Sequence, residues 1–142
     1  MYTIRQLEQE ETTDTSISEL YKLLSQLSSS VTKVAIWEAI GSEQNHILIA
    51  TTTDGKLVGT ATMAYLRCLT GTRVHIEDVV VDQAHRGKGI ATLLLTEIIQ
   101  RAKELKAKSI DLTSRPDKIA ANQLYRKLGF VQRETNVYRY QQ

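Results

Sequence analysis

The stretch Glu77-Asp78-Val79-Val80-Val81-Asp82-Gln83-Ala84-His85-Arg86-Gly87-Lys88-Gly89-Ile90-Ala91 constrains the fold more than any other part of the chain. An apolar, β-branched run passes through a short basic turn with two spaced glycines directly into an amphipathic helix. Such a turn aims the unpaired first-turn N–H groups, and the positive end of the helix dipole, at whatever lies above it. With Gly at 87 and 89, little side chain separates backbone from ligand. The N–H groups of Gly87, Lys88, Gly89, Ile90, Ala91 and Thr92 can then approach phosphate oxygens. Arg86 and Lys88 add mobile positive charge. A Gly-x-Gly after a strand also serves ordinary turns with a solvated basic edge, so the surrounding elements have to decide.

Those elements alternate strand and helix. Residues 2–7 read as a first strand and 8–15 as a polar loop. Ser16 and Glu19 have capping-box spacing, and Ile17, Leu20, Leu23, Leu24 and Leu27 recur at helical intervals until Ser28-Ser29-Ser30. Residues 31–40 predict a second helix, weakened by β-branched residues and stopped by Gly41. Residues 47–52 and 56–66 predict antiparallel strands around the turn Thr53-Asp54-Gly55. Residues 72–81 read as the central strand, where Val79-Val80-Val81 suggests burial on both faces. From Ile90 onward, Leu93, Leu94, Ile98, Ala102 and Leu105 form an apolar stripe. Residues 109–113 predict a short buried strand, and residues 119–128 a helix stopped by Gly129 in a left-handed cap. A last strand or hairpin is expected over 131–140. The order β-α-α-β-β-β-α-β-α-β implies an α/β fold on a mixed sheet, with its ligand cleft where strands part.

Composition narrows the class. The 142 residues, 42% hydrophobic and 24% charged, carry no linker, repeat or low-complexity tract, which fits one domain over 1–142. A net charge of +2 is too small to argue for nucleic acid and favours a local anion site instead. Cys68, without a second cysteine, permits no internal disulfide and reads as buried filler. The N-terminus lacks the apolar block of a signal peptide, and no apolar run approaches the roughly 20 residues of a spanning helix. A cytoplasmic protein with no membrane partner is expected. His46, His75 and His85 show no metal-ligand spacing, and the serines show no nucleophile-elbow pattern, so no metal and no acyl-enzyme are expected.

Two segments carry a resemblance. Val81-Asp82-Gln83-Ala84-His85-Arg86-Gly87-Lys88-Gly89-Ile90-Ala91 resembles the Gln/Arg-x-x-Gly-x-Gly/Ala turn of the GNAT superfamily of CoA-dependent N-acetyltransferases. Leu124-Tyr125-Arg126-Lys127-Leu128-Gly129-Phe130 resembles its Leu/Phe-Tyr-x-x-x-Gly-Phe segment. Ala84 stands where the superfamily most often has Gln or Arg, leaving the polar contact to Arg86, Lys88 and backbone N–H groups. Lys118 stands where many members carry a CoA-contacting Asn, and Asn122 sits three residues before the motif tyrosine.

The resemblance implies a GNAT-like fold: a mostly antiparallel central sheet, splayed at the CoA cleft and flanked by helices. Acetyl-CoA would be the cosubstrate, its pantetheine arm adding to the free edge of Val79, Val80 and Val81 and its pyrophosphate resting on residues 87–92. Tyr125 would lie near the sulfur, and a phenol with an ordinary pKa of about 10 can protonate the departing thiolate. The bland alternative is a tyrosine packed with Leu124 and Phe130. Asn122 either bonds CoA or caps local backbone.

Glu77 is the favoured base for the attacking amine, with Asp78 and His75 as alternatives. Strand alternation sends Glu77 and Asp78 to opposite faces unless a bulge intervenes, and the alternative role for Glu77 is to pair with Arg73 or another cation and bind the substrate only electrostatically. The expected acceptor is a primary amine on a small molecule, attacking directly in a ternary complex. Protein or peptide N-termini come second, and a non-catalytic CoA-binding regulatory module is the rival class. Arg67, Arg73 and Arg115 suit a carboxylate or phosphate on the acceptor, whereas Glu77 and Asp78 suit a cationic amine. The resemblance also allows a homodimer.

Overall fold

β-Branched and aliphatic residues on either side of the Asp54-Gly55 turn build the middle of a five-stranded sheet. The computed structural model describes residues 1–142, in two compact units, Met1–Leu112 and Thr113–Gln142. In the first unit, β1 (Tyr2–Gln6), β2 (Asn45–Thr52), β3 (Leu57–Cys68), β4 (Gly71–Val81) and β5 (Ser109–Asp111) lie in that spatial order. All neighbours are antiparallel except β4 and β5, which are parallel. The sheet is therefore mixed and mostly antiparallel, as the element order implies. The β2–β3 hairpin closes where the Gly55 N–H donates to the Thr52 carbonyl at 3.0 Å and the Thr52 N–H to that of Lys56 at 2.9 Å.

Helices cover both faces. Ile49 lies opposite Thr60 and Ala50 opposite Gly59, so the two pairs point to opposite sides of the sheet. On one side, Ile47, Ile49 and Val80 pack with Leu20 and Leu23 of α1 (Asp14–Leu24) and Ile36 and Ile40 of α2 (Lys33–Gly41). On the other lies α3 (Ile90–Glu104). A Cβ added to Gly59 would come within 3.0 Å of Ile90 Cγ2 and 3.5 Å of the Ala50 Cβ, so the helix is seated directly on the strand.

Several local expectations are corrected. α1 is capped by Thr13, whose hydroxyl accepts the Ser16 N–H at 3.2 Å. The expected Ser16–Glu19 box does not form, because Glu19 accepts the Leu57 N–H of β3 at 3.2 Å. The α1 pattern continues to Leu27, but the helix stops at Leu24. In α3 the buried stripe is Ile90, Leu94, Leu95, Ile98 and Ala102, with Leu93 and Leu105 exposed. Leu93 and Leu95 flank the stripe symmetrically at ~100° on either side of Leu94, so periodicity alone could not choose between them. Cys68 is exposed, because β3 runs past its helical cover after Met63. β5 is shorter than expected and half-buried.

The second unit contains α4 (Ile119–Lys127). The expected strand over 131–140 is not formed, and Val131, Val137, Tyr138 and Tyr140 are exposed. Alternation supplies a face but not the neighbour whose N–H and C=O groups a strand needs. No helix is long and apolar enough to cross a membrane.

One buried-edge contact makes stability depend on pH. Arg101 bridges Glu97 at 2.8 Å, Gln6 at 2.6 Å and His46 Nδ1 at 3.1 Å, so the guanidinium donates to an imidazole that must be neutral at that nitrogen. Burial, then the Arg101 charge, holds the His46 pKa below its ordinary value. Below about pH 6.5 the unfolded chain binds a proton that the folded chain refuses, so stability falls as pH drops from there until the lowered folded pKa is passed. His46→Asn, which keeps an acceptor for Arg101, should flatten this loss. Since the half-exposed ring is partly screened, the difference should stay below about 1 kcal/mol. Urea titrations at pH 7 and pH 5 measure it, and parallel curves for the two proteins would reject the assignment.

Candidate active site

The sheet opens beside β4. β5 pairs with β4 only from Arg73 to His75, whereas β3 follows β4 up to Val81. From Ile76 to Val81, β4 therefore has one edge without a strand neighbour. Of the three valines only Val80 is buried, packed into the α1/α2 core, and Val79 and Val81 are half-buried. That corrects the expectation of burial on both faces: the apolar run reflects one buried face and one open cleft.

The strand end is pinned before the turn begins. The Asp82 N–H donates to the Val58 carbonyl at 2.8 Å, and Gln26 Nε2 donates to the Asp82 carboxylate at 3.1 Å, which holds that carboxyl below its usual range. His85 Nδ1 and the Tyr2 hydroxyl share a 3.0 Å hydrogen bond, and Arg86 Nε donates to the Val81 carbonyl at 3.2 Å. Gly87 and Gly89 then take φ values of 76° and 81°, a left-handed backbone in which side chains are strained. Gly89 is the N-cap of α3 and offers no side-chain acceptor. The N–H groups of Gly87, Lys88 and Gly89 find no acceptor in the protein, and those of Ile90, Ala91 and Thr92 belong to the first helical turn. A Cβ at Gly87 or Gly89 would meet nothing within 4 Å, so these glycines serve backbone conformation and ligand approach, not internal packing. Free donors, a helix N-terminus and two cationic side chains in an exposed turn fit a diphosphate.

On the α1/α2 face lies a second feature. Thr60 pairs with Val80 and Thr62 with Glu77, so Asp78 and Val79 together oppose Ala61 in a β-bulge. Asp78 adopts φ 53°, a left-handed conformation that Asp tolerates better than most residues. A cavity of about 320 Å³ runs from α1, the α1–α2 connection and α2 to the sheet, and Ile47, Thr60, Thr62 and Asp78 form its sheet-side wall. Register places Glu77 on the same face as Thr62, so the bulge removes the opposition of the two carboxylates that simple alternation would give. Glu77 does not line the cavity and makes no ion pair with Arg73, which bonds the Thr70 hydroxyl at 3.1 Å. His75 pairs with Ala64 and Asp111. Arg67 lies 5.4 Å over the Tyr65 ring, and Arg115 is 3.6 Å from Asp117.

Nothing in the sequence announces this cavity. Leu24 and Leu27, which line it, look like ordinary members of a helical stripe. The one available signal was the Glu-Asp pair breaking the apolar rhythm of a strand.

In the second unit, Tyr125 and the Gly129-Phe130 pair form one motif. The Gly129 N–H donates to the Arg126 carbonyl at 3.0 Å and the Phe130 N–H to that of Tyr125 at 2.9 Å, a Schellman closure with Gly129 at φ 104°. The Tyr125 and Phe130 rings meet edge to face, with centroids 6.1 Å apart. Tyr125 is half-buried, and burial raises its hydroxyl pKa above the ordinary value. Asn122 Nδ2 donates to the Arg115 and Lys118 carbonyls at 2.9 and 2.8 Å, so its amide hydrogens cap local backbone.

A mixed sheet splayed along one strand, with that strand followed by a turn of free N–H groups, is the kind of site that can hold a cofactor with an amide-bearing arm and a diphosphate. The chain belongs to the acetyltransferase (GNAT) family, whose model matches residues 2–130 and so runs across both units. Solved structures agree on the fold. A putative acetyltransferase from Agrobacterium tumefaciens superposes with a TM-score of 0.82 at 23% identity, covering 98% of this chain and 99% of that one. Glucosamine-6-phosphate N-acetyltransferase from Arabidopsis thaliana gives 0.76 at 23%, with 99% and 98% covered. AAC(6')-Iy, in complex with a bisubstrate analogue, CoA-S-monomethyl-acetylneamine, gives 0.81 at 18%, with 100% and 99% covered.

Proposed function

We propose that this acetyltransferase transfers the acetyl group of acetyl-CoA to a primary amine of a small molecule, by direct attack in a ternary complex. The observation that carries the reading is the open edge of β4, followed after a single 3₁₀ turn over Gln83–His85 by the N–H groups of residues 87–92. Acetyl-CoA supplies an activated thioester at the end of an amide-bearing arm and a diphosphate.

In this reading the edge of Val79 and Val81 bonds the arm, while Val80 anchors the strand in the core so that the edge stays fixed. The N–H groups of Gly87, Lys88, Gly89, Ile90, Ala91 and Thr92 hold the diphosphate with Lys88, and Arg86 ties the turn to the strand through the Val81 carbonyl. Asn122 has its amide oxygen left for the cofactor once its hydrogens are placed on Arg115 and Lys118. Glu77 accepts the proton of the incoming amine, directly or through water, and Tyr125 gives one to the departing sulfur. The whole of 1–142 acts as one catalytic domain.

A thermal-shift panel tests the cofactor. A saturating CoA ester at ~100 Kd should stabilise by about 2.7 kcal/mol, a rise on the order of 8 °C, with ATP and NAD inactive. Stabilisation by ATP or NAD in preference to CoA would defeat the reading. Stabilisation by CoA esters without thiol release on any amine or peptide would instead support a regulatory module. For the base, Glu77→Gln should lower kcat by about 100-fold and flatten the acidic limb of the pH–rate profile. If the limb survives in that variant, Glu77 is not the base, and Asp78→Asn and His75→Gln test the other two groups.

A further inference from the structure

We infer that the acceptor is a monoamine with an apolar body, seated in the cavity between α1, α2 and the sheet with its nitrogen at Asp78; this rests on the transfer reading above. The cavity is walled on the helix side by Leu20, Leu24, Leu27, Ile36 and Ile40. Its polar lining is small: the Thr60 hydroxyl donates to the Leu48 carbonyl at 2.8 Å and the Ser28 and Ser30 hydroxyls bond each other at 2.9 Å, which leaves the Thr62 hydroxyl and the Asp78 carboxylate to meet a ligand. Asp78 is the only ionisable residue that lines it, and no lysine or arginine does.

Three consequences follow from that chemistry. A phosphate or carboxylate on the acceptor would enter without a cation to meet it, which disfavours amino-sugar phosphates and amino acids. A polyamine or aminoglycoside would bring several ammonium or hydroxyl groups against one carboxylate and a leucine-rich wall. A single ammonium on a hydrocarbon body satisfies both ends, with the charge at Asp78 and the remainder among aliphatic side chains. A volume of about 320 Å³, at ~30 Å³ per water-sized group, suits an amine of about ten heavy atoms.

The position of Asp78 also serves the reaction. It is the residue immediately before Val79, where the β4 edge is open, and its left-handed backbone in the bulge lets it join the cavity wall there. An amine held by this carboxylate is therefore delivered next to the strand edge. Because Asn tolerates the same backbone conformation, Asp78→Asn removes the charge without disturbing the bulge.

The test is thiol release from acetyl-CoA with 2-phenylethylamine, hexylamine, spermidine, glucosamine 6-phosphate and kanamycin. The two apolar amines should exceed the three polar ones in kcat/KM by at least about tenfold. Asp78→Asn and Leu27→Arg, the latter placing a cation at the exposed rim of the cavity, should each raise the KM for 2-phenylethylamine by about tenfold and leave that for acetyl-CoA unchanged. Preference for any polar amine, with the apolar pair at background, would overturn the inference while leaving acetyl transfer standing. Thiol release with none of the five would count against transfer to small amines. In that case calorimetric binding of 2-phenylethylamine, lost in Leu27→Arg, would still support the cavity assignment, and absence of binding would overturn it.

Discussion

Gly89→Val should lower the affinity for acetyl-CoA by about 100-fold, the equivalent of losing one or two charge-assisted hydrogen bonds. Gly89 caps α3 at φ 81° and ψ 11°, where a β-branched residue is strained by about 1–2 kcal/mol. The turn can relieve that strain only by rotating the N–H groups of residues 87–92 out of convergence. Nothing in the protein lies within 4 Å of the added Cβ, so the new side chain also projects into the space a diphosphate would fill. Both effects weaken binding, and neither touches the core. The stability loss should therefore stay below about 2 kcal/mol. Calorimetric titration with CoA and a urea curve on the same protein separate the two quantities. Undiminished affinity would refute the cradle, and with it the placement of the cofactor along β4.

Tyr125→Phe should lower kcat by about 100-fold, the lower range for removal of a general acid, with the KM for acetyl-CoA within about twofold. The substitution keeps the ring that meets Phe130 edge to face, and the Gly129 and Phe130 N–H bonds that close α4 are made by backbone. Loss of rate would thus report the hydroxyl and not the fold. Burial raises the Tyr125 pKa, and the acid form of a phenol is the neutral one, so it persists to higher pH than in water. The wild-type enzyme should lose no activity through this group between pH 6 and 9. Full turnover in the variant, measured by thiol release under saturating acetyl-CoA, would remove Tyr125 from the acid role.

The local motifs were legible because they are short-range. Arg86-Gly87-Lys88-Gly89 must turn where it does, since the left-handed backbone at the two glycines needs no distant contact. The same holds for Tyr125 to Phe130, where Gly129 alone permits the Schellman closure. Helical stripes and the Asp54-Gly55 hairpin were equally local, and with the two motifs they determined the class of fold and the family. What the chain could not announce is what depends on partners far away in sequence. Thr13, not Ser16, caps α1 because Glu19 is drawn to the Leu57 N–H of β3. Residues 131–140 alternate like a strand but have no neighbour. The bulge that joins Asp78 to a cavity wall exists only because β3 and β4 differ by one residue between Thr60 and Thr62. Backbone conformation is decided by the residue itself and its immediate neighbours, whereas strand register and cavity shape are decided by which surfaces meet; sequence fixes the former directly and the latter only through the fold.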